Sequence, residues 1–121
     1  LIIEYGCDAF AEGKGPDEAA QAAYNEGCLR AIVLNQAGGE LAGNAIGGIV
    51  FEYLDEWWKA NDDPTTQATH AQGNSPFPDG KGHEEWFGIM GQGGGQNSPF
   101  ERQPRKTYEY YRSVWGSGGK D

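Results

Sequence analysis

Two short apolar runs organise the first half of the chain. Residues 1–5 read Leu-Ile-Ile-Glu-Tyr, and residues 47–54 read Gly-Gly-Ile-Val-Phe-Glu-Tyr-Leu before an acidic and tryptophan-rich end at residues 55–59. Each apolar run has the length and composition of a buried β-strand. Polar and aromatic residues at the carboxyl end of such a strand are typical of a ligand site in an α/β enzyme. An ordinary buried strand that continues into an acidic loop explains the second run equally well.

The segment between the two runs predicts a helix from Pro16 to about Ala37. Proline favours the first helical position, and the acids at 17 and 18 suit the first turn. Its predicted buried face consists of Ala20, Tyr24, Cys28 and Ala31. A strand, a helix and a second strand in this order predict a right-handed βαβ unit with parallel strands.

The second half of the chain begins with a long predicted loop, residues 61–82, which is rich in Pro, Gly, Asn and Asp. A dense aromatic and acidic patch follows at residues 83–90, and a glycine-rich segment at 91–97. Pro104 starts the last predicted helix, which ends near Trp115 and carries a stripe of Tyr108, Tyr111 and Trp115 that we expect in the core. Residues 116–121 are predicted to be a flexible tail.

Composition narrows the classes of partner. The formal net charge of the 121 residues is -9, which argues against nucleic acid or an anionic membrane as a partner. No run is long enough to span a bilayer. Cys7 and Cys28 match no metal-ligand spacing, and two buried thiols are favoured over a single disulfide. The acids at 62, 63 and 79 fit no calcium loop, so neither a metal nor a cofactor is expected. The abrupt apolar start suggests a piece of a longer protein or a processed chain.

Four short motifs occur in a fixed order. They are IIEYGC at residues 2–7, GGIVFEY at 47–53, WFGI at 86–89, and RQPRKTY at 102–108 with a tryptophan at 115. Together they resemble the seventh strand, the eighth strand, the following segment and the last helix of a retaining glycoside hydrolase (β/α)8 barrel. That clan includes the family 2 β-glucuronidases and β-galactosidases and the fungal β-1,3-glucanosyltransferases. The resemblance spans about residues 1–115 and implies an α/β fold: a partial TIM barrel with two parallel β/α units and a long loop after the second strand.

The resemblance assigns the catalytic nucleophile to Glu4. Retaining glycosidases use two carboxyl groups about 5–5.5 Å apart, at the carboxyl ends of barrel strands. In this clan the acid/base belongs to an Asn-Glu pair at the end of the fourth strand. The chain has one Asn-Glu pair, Asn25-Glu26, in the middle of the first predicted helix. A whole barrel takes about 250 residues, so the acid/base would come from the remainder of the barrel, as another chain or as a parent polypeptide.

The substrate-binding candidates are the aromatic and acidic side chains near the predicted strand ends. They are Tyr5, Phe51, Glu52, Tyr53, Asp55, Trp57, Trp58, Glu85 and Trp86. Phe51 stands where such enzymes usually carry a Trp or Tyr beneath the scissile sugar, which weakens stacking at that point. The tryptophans are alternative sugar platforms, or side chains that pack beneath the long loop. The acids bind sugar hydroxyls, or form a solvated rim.

The resemblance implies a retaining β-glycoside hydrolase or transglycosylase that acts on a neutral β-linked polysaccharide, such as a β-glucan. It also favours an extracellular or secretory location. The alternative is a non-catalytic carbohydrate-binding or structural subunit derived from such a barrel. A carboxyl group within about 5.5 Å of Glu4 separates the two hypotheses, because retaining catalysis needs it.

Overall fold

The computed structural model describes residues 1–41, 43–60, 63, 65–92 and 101–116. Within these ranges the chain is mixed α/β. It forms β1 (Ile2–Tyr5), β2 (Phe10–Ala11), β3 (Gly15–Pro16), α1 (Glu18–Leu34), β4 (Gly48–Val50), β5 (Gly73–Asn74), β6 (Lys81–Gly82), β7 (Met90–Gly91), β8 (Gln103–Pro104) and α2 (Lys106–Trp115). Two single 3-10 turns lie at Trp57–Ala60 and Glu84–Trp86.

The predicted parallel strand–helix–strand unit is confirmed. β1 pairs with β4 in parallel, with Ile2 opposite Gly48 and Tyr5 opposite Val50, and the register shifts between these two pairs. Helix α1 connects the two strands, and α2 follows β4 after the long connection. The other strands form three antiparallel two-stranded pairs.

Helix α1 is shorter than predicted because local capping sets both ends. The Asp17 carboxylate accepts a hydrogen bond from the Ala20 N–H at 3.0 Å and so caps the first turn. Pro16 lies in β3, not in the helix. At the other end, the Asn35 N–H donates to the carbonyls of Ala31 and Ile32 and closes the helix after Leu34.

The predicted apolar face of α1 is only partly correct. The most buried positions on α1 are Gln21, Asn25 and Ile32, whereas Ala31 is exposed. Gln21 tolerates burial because its amide N–H groups donate to three carbonyls, those of Cys7, Phe87 and Gly88, at 3.1–3.2 Å. Polar side chains with distant partners therefore occupy the face that packs inward.

Helix α2 packs on α1 through Tyr111, which is almost completely buried. The Tyr111 hydroxyl lies 3.0 Å from the Asn25 side-chain oxygen and 3.3 Å from the Tyr5 hydroxyl. The prediction of a core stripe is right for Tyr111 and wrong for Trp115, which is exposed and stacks on the Tyr111 ring at 4.4 Å.

Strands β1 and β4 are not buried as predicted. Leu1, Ile2, Ile3, Ile46 and Ile49 are all exposed. Both helices contact one side of this sheet, where a side chain at Gly48 would meet Tyr5 and Ile32. Ile49, the next residue, points to the opposite side. Among the described residues no element covers that side, and neither outer edge of the sheet is paired.

The core lies instead between α1 and the loops that follow the two strands. Residues 7–11, predicted as loop, are buried, and residues 10–16 form the β2–β3 hairpin. The long loop of residues 61–82 carries the β5–β6 hairpin. Of the predicted tail, Gly116 caps α2, and residues 117–121 lie outside the described residues, as do residues 93–100 of the glycine-rich segment.

Candidate functional site

The carboxyl ends of β1 and β4 meet at one edge of their sheet. The Phe51 N–H donates to the Tyr5 carbonyl at 2.8 Å. This hydrogen bond joins the residue after Glu4 to the residue before Glu52. Gly6 makes this approach possible, because its φ is +150° and a β-carbon there would collide with the Phe51 carbonyl. The sequence therefore brings two carboxyl-bearing positions to neighbouring strand ends.

Glu4 and Tyr5 have different surroundings. Glu4 is exposed, and its carboxylate makes no hydrogen bond or ion pair with any other residue that the structure describes. Tyr5 faces the helices, where its hydroxyl lies 3.3 Å from that of Tyr111, and burial raises its pKa. The Tyr5 hydroxyl is thus engaged with α2 and is not available to orient Glu4.

Glu52 lies in a partly enclosed carboxyl pair. Burial raises the pKa of Glu52 to about 8, and the negative charge of Glu56 adds to the rise, while Lys59 opposes it. The Oε1 atom of Glu52 is buried without a hydrogen-bond partner among the described residues. The Glu56 carboxylate in turn lies 3.3 Å from the Lys59 ammonium. At neutral pH Glu52 therefore retains its proton and can donate a hydrogen bond.

Asp55 lies in the core, not on the surface of the candidate site. Its carboxylate forms a two-pronged ion pair with Arg105, at 2.6 and 2.7 Å, and it also accepts hydrogen bonds from the Gly88 N–H at 3.0 Å and the Gln67 amide at 2.8 Å. Burial raises the pKa of Asp55, and these donors oppose the rise. All four acceptor positions are occupied, so none is left for a sugar hydroxyl.

Glu85 and Trp86 hold the long loop in place. Glu85 is fully buried, and its carboxylate accepts a hydrogen bond from the Ala68 N–H. The Trp86 indole N–H donates to the Ala68 carbonyl at 2.7 Å, and its ring packs between Phe10 and the Arg105 guanidinium. Trp86 therefore packs beneath the loop, as the alternative to a sugar platform expects. Glu85 is buried there too, and so does not form part of a solvated acidic rim.

The remaining aromatic candidates divide by exposure. Trp57 is 5% exposed and Trp58 is 61% exposed. The Lys59 ammonium lies 5.1 Å from the centre of the Trp58 ring. Tyr53 is also exposed, while the Phe51 ring makes an edge contact with Phe87 at 5.6 Å. Of the predicted aromatic platforms, Trp58 and Tyr53 offer ring surface to a ligand.

The sequence did not single out the buried charged groups that assemble this region. Arg105 lies in the motif at the start of the last predicted helix, and its positive charge is the signal that could have indicated an acidic partner such as Asp55. His83 belongs to the aromatic and acidic patch at residues 83–90. It is fully buried, with its Nε2 atom 2.8 Å from Glu12 and its Nδ1 atom 3.5 Å from Asp8. A histidine and two acids that are far apart in sequence leave no local pattern.

Comparisons with protein-family models, with curated proteins and with solved structures found no match. None of the described helices is long and apolar enough to cross a membrane. Among the described residues no group of three or more His, Cys, Asp or Glu side chains is arranged to hold a metal ion. Of the three acids that fit no calcium loop, Asp62 lies outside the described residues, Asp63 accepts hydrogen bonds from Thr65, and Asp79 accepts one from the Glu12 N–H.

Proposed function

We propose that the protein is carbohydrate-active: a retaining β-glycoside hydrolase or transglycosylase that acts on a β-linked glucan. Glu4 is the nucleophile, and the remainder of a (β/α)8 barrel supplies the acid/base. The observation that carries the proposal is the parallel pairing of β1 with β4, which brings Glu4 and Glu52 to adjacent strand ends. Active sites of such barrels lie at the carboxyl ends of the strands.

The surroundings of the two glutamates support the proposal. Glu4 is exposed, and its carboxylate makes no hydrogen bond or ion pair with another described residue, so its oxygens are accessible to a ligand. The raised pKa of Glu52, about 8, favours its protonated form at neutral pH, so it can donate a hydrogen bond to a sugar hydroxyl.

The exposed side of the sheet supports a partner. Ile46 is 75% exposed and Ile49 53%, on a two-stranded parallel sheet whose edges are unpaired among the described residues. Parallel sheets normally have both faces covered. Further parallel strands, from another chain or from the same polypeptide, would cover Ile49 and pair both edges. The acid/base carboxyl would enter with them.

In the proposed step, a Glu4 oxygen attacks the anomeric carbon while the glycosidic bond breaks, and the acid/base gives its proton to the leaving oxygen. The oxygen of water or of an acceptor sugar then attacks the anomeric carbon, its proton passes to the acid/base, and the bond to Glu4 breaks to release the carboxylate. Trp58 and Tyr53 are the ring surfaces available to the substrate. Asp55, Trp57, Glu85 and Trp86 support the site through packing and take no part in the step.

The test is covalent trapping with a 2-deoxy-2-fluoro-β-glucosyl fluoride, in the whole protein together with any chain that copurifies with it. Fluoride leaves without protonation, so trapping reports the nucleophile whichever chain carries the acid/base. We expect the label on the peptide that contains Glu4, loss of the label in Glu4→Gln, and an unchanged label in Glu40→Gln, which alters an exposed glutamate elsewhere. A label on another residue, or no label at all, refutes catalysis by Glu4 and supports the non-catalytic alternative.

A further inference from the structure

A groove lies beside the β5–β6 hairpin, outside the strand-end residues. We call it the hairpin groove; it has a volume of about 360 Å³ and is lined by Gln72, Asn74, Ser75, Phe77, Glu84 and Phe87, together with Gly73 and Gly82. Its volume falls within the usual range for ligand pockets, about 300–1,000 Å³. The hairpin groove has a floor and a rim of different chemistry.

The floor of the hairpin groove is aromatic and held in position. The rings of Phe77 and Phe87 meet edge to face at 5.3 Å. Phe77 also contacts Tyr24 at 5.8 Å, and Phe87 contacts Phe51 at 5.6 Å. The floor is therefore anchored to α1 on one side and reaches the end of β4 on the other. A ligand in the groove lies next to the strand-end region through the shared ring of Phe87.

The rim of the hairpin groove is polar but almost uncharged. The side-chain oxygen of Asn74 accepts a hydrogen bond from Lys81 at 2.9 Å, which fixes the orientation of the amide and leaves its NH2 group to donate elsewhere. The Ser75 hydroxyl donates to the Lys81 carbonyl at 3.1 Å. Glu84 is the charged residue of the lining, and its carboxylate lies 3.5 Å from the Lys59 ammonium.

Glycine keeps the hairpin groove open. Gly73 and Gly82 face each other in the β5–β6 register. A β-carbon at Gly73 would meet nothing within 4 Å. Gly73 is exposed, so its peptide groups are accessible beside the aromatic floor, whereas Gly82 is buried and its carbonyl accepts a hydrogen bond from the Gln72 N–H. Flat aromatic rings, amide and hydroxyl groups and accessible peptide groups together match a ligand with apolar C–H faces and many hydroxyl groups.

We infer that the hairpin groove is a further binding subsite for a neutral β-linked oligosaccharide. The anionic Glu84 and the net charge of -9 disfavour an acidic polysaccharide, and the amide rim disfavours a purely apolar ligand. The choice of a β-linked sugar rests on the proposed function, while the groove and its chemistry do not. Sugar units distant from the bond that is cleaved would bind here and extend the substrate beyond the strand ends.

The experiment measures binding of a neutral β-1,3-gluco-oligosaccharide by calorimetry and by amide NMR, in the whole protein carrying Glu4→Gln so that no turnover occurs. We expect shifts of the Gly73, Asn74 and Gly82 amide signals. Asn74→Ala should weaken binding about three- to tenfold, the size of one hydrogen bond, and Phe77→Leu should weaken it further by removing a ring face. Asn44→Ala, at an exposed position of the linker before β4, is the matched control and should change nothing.

Each outcome has one meaning. No binding, or binding without those amide shifts and without an effect of Asn74→Ala, overturns the inference. The same holds if a neutral peptide displaces the sugar from these residues with higher affinity. Covalent trapping at Glu4 decides the proposed function separately, so trapping without groove binding leaves catalysis intact. Groove binding without trapping retains the subsite and removes the nucleophile. Circular dichroism of each variant verifies that it is folded.

Discussion

Replacing Asp55 by asparagine tests whether the acidic residue after β4 supports the core or binds substrate. The Asp55 and Arg105 side chains are 0% and 6% exposed. One carboxylate oxygen receives Arg105 and the Gly88 N–H, and the other receives Arg105 and Gln67. An asparagine must direct its NH2 group towards one of these donor pairs. The substitution therefore removes two hydrogen bonds and leaves the Arg105 charge buried without its counter-ion.

The expected cost is large because the pair is buried. Removing one partner of a buried ion pair costs about 3–5 kcal/mol, which is comparable to the whole stability of a marginal domain, about 5–15 kcal/mol. Urea unfolding followed by far-UV circular dichroism measures the change in the free energy of unfolding. Arg105→Lys keeps the charge but loses the two-pronged geometry, and should cost less than Asp55→Asn. The double change Asp55→Leu with Arg105→Met should cost much less than the sum of Asp55→Leu and Arg105→Met measured singly.

An exposed pair provides the control. Arg112 and Glu109 lie 2.8 Å apart on α2 with side chains 68% and 46% exposed. Arg112→Ala should change the free energy of unfolding by less than about 1 kcal/mol. If Asp55→Asn costs no more stability than this control but weakens oligosaccharide binding, a stabilising role for the buried ion pair is refuted. Asp55 is then a substrate-binding residue.

Three further predictions concern single residues. The folded-state pKa of Glu52, about 8, exceeds its ordinary value of 4.5, so its contribution to stability is full below that ordinary value and is lost as pH rises through 8. The urea midpoint of Glu52→Gln should therefore fall less between pH 5 and pH 9 than the midpoint of the wild type. Identical pH profiles of the two proteins would contradict the raised pKa. Trp58→Ala should weaken oligosaccharide binding and change the free energy of unfolding by no more than about 0.5 kcal/mol, whereas Trp57→Ala should lower it by about 3–5 kcal/mol. The reverse pattern would contradict the burial of Trp57 and the exposure of Trp58. Gly6→Ala should destabilise by about 2 kcal/mol or more, because its φ is +150° and the new β-carbon meets the Phe51 carbonyl; thermal unfolding measures this, and an unchanged midpoint would argue against the close strand-end approach.

The sequence by itself determined the features that depend on neighbours along the chain. The apolar runs located β1 and β4, and the acids after Pro16 located the start of α1 to within two residues. The order strand, helix, strand predicted parallel pairing because such crossovers have few alternatives. The same patterns led to Glu4 and Glu52 at strand ends.

Only the tertiary structure decided which of those side chains are buried. Gln21 is buried because carbonyls from residues 7, 87 and 88 accept its hydrogen bonds, and Asp55 is buried because Arg105, fifty positions later, neutralises it. Ile49 is exposed because both helices lie on the other side of its sheet. Trp57 and Trp58 are adjacent residues of the same type, yet Trp57 packs in the core and Trp58 faces solvent. Burial depends on partners that folding brings together from distant parts of the chain, and the local hydrophobic pattern does not predict those partners.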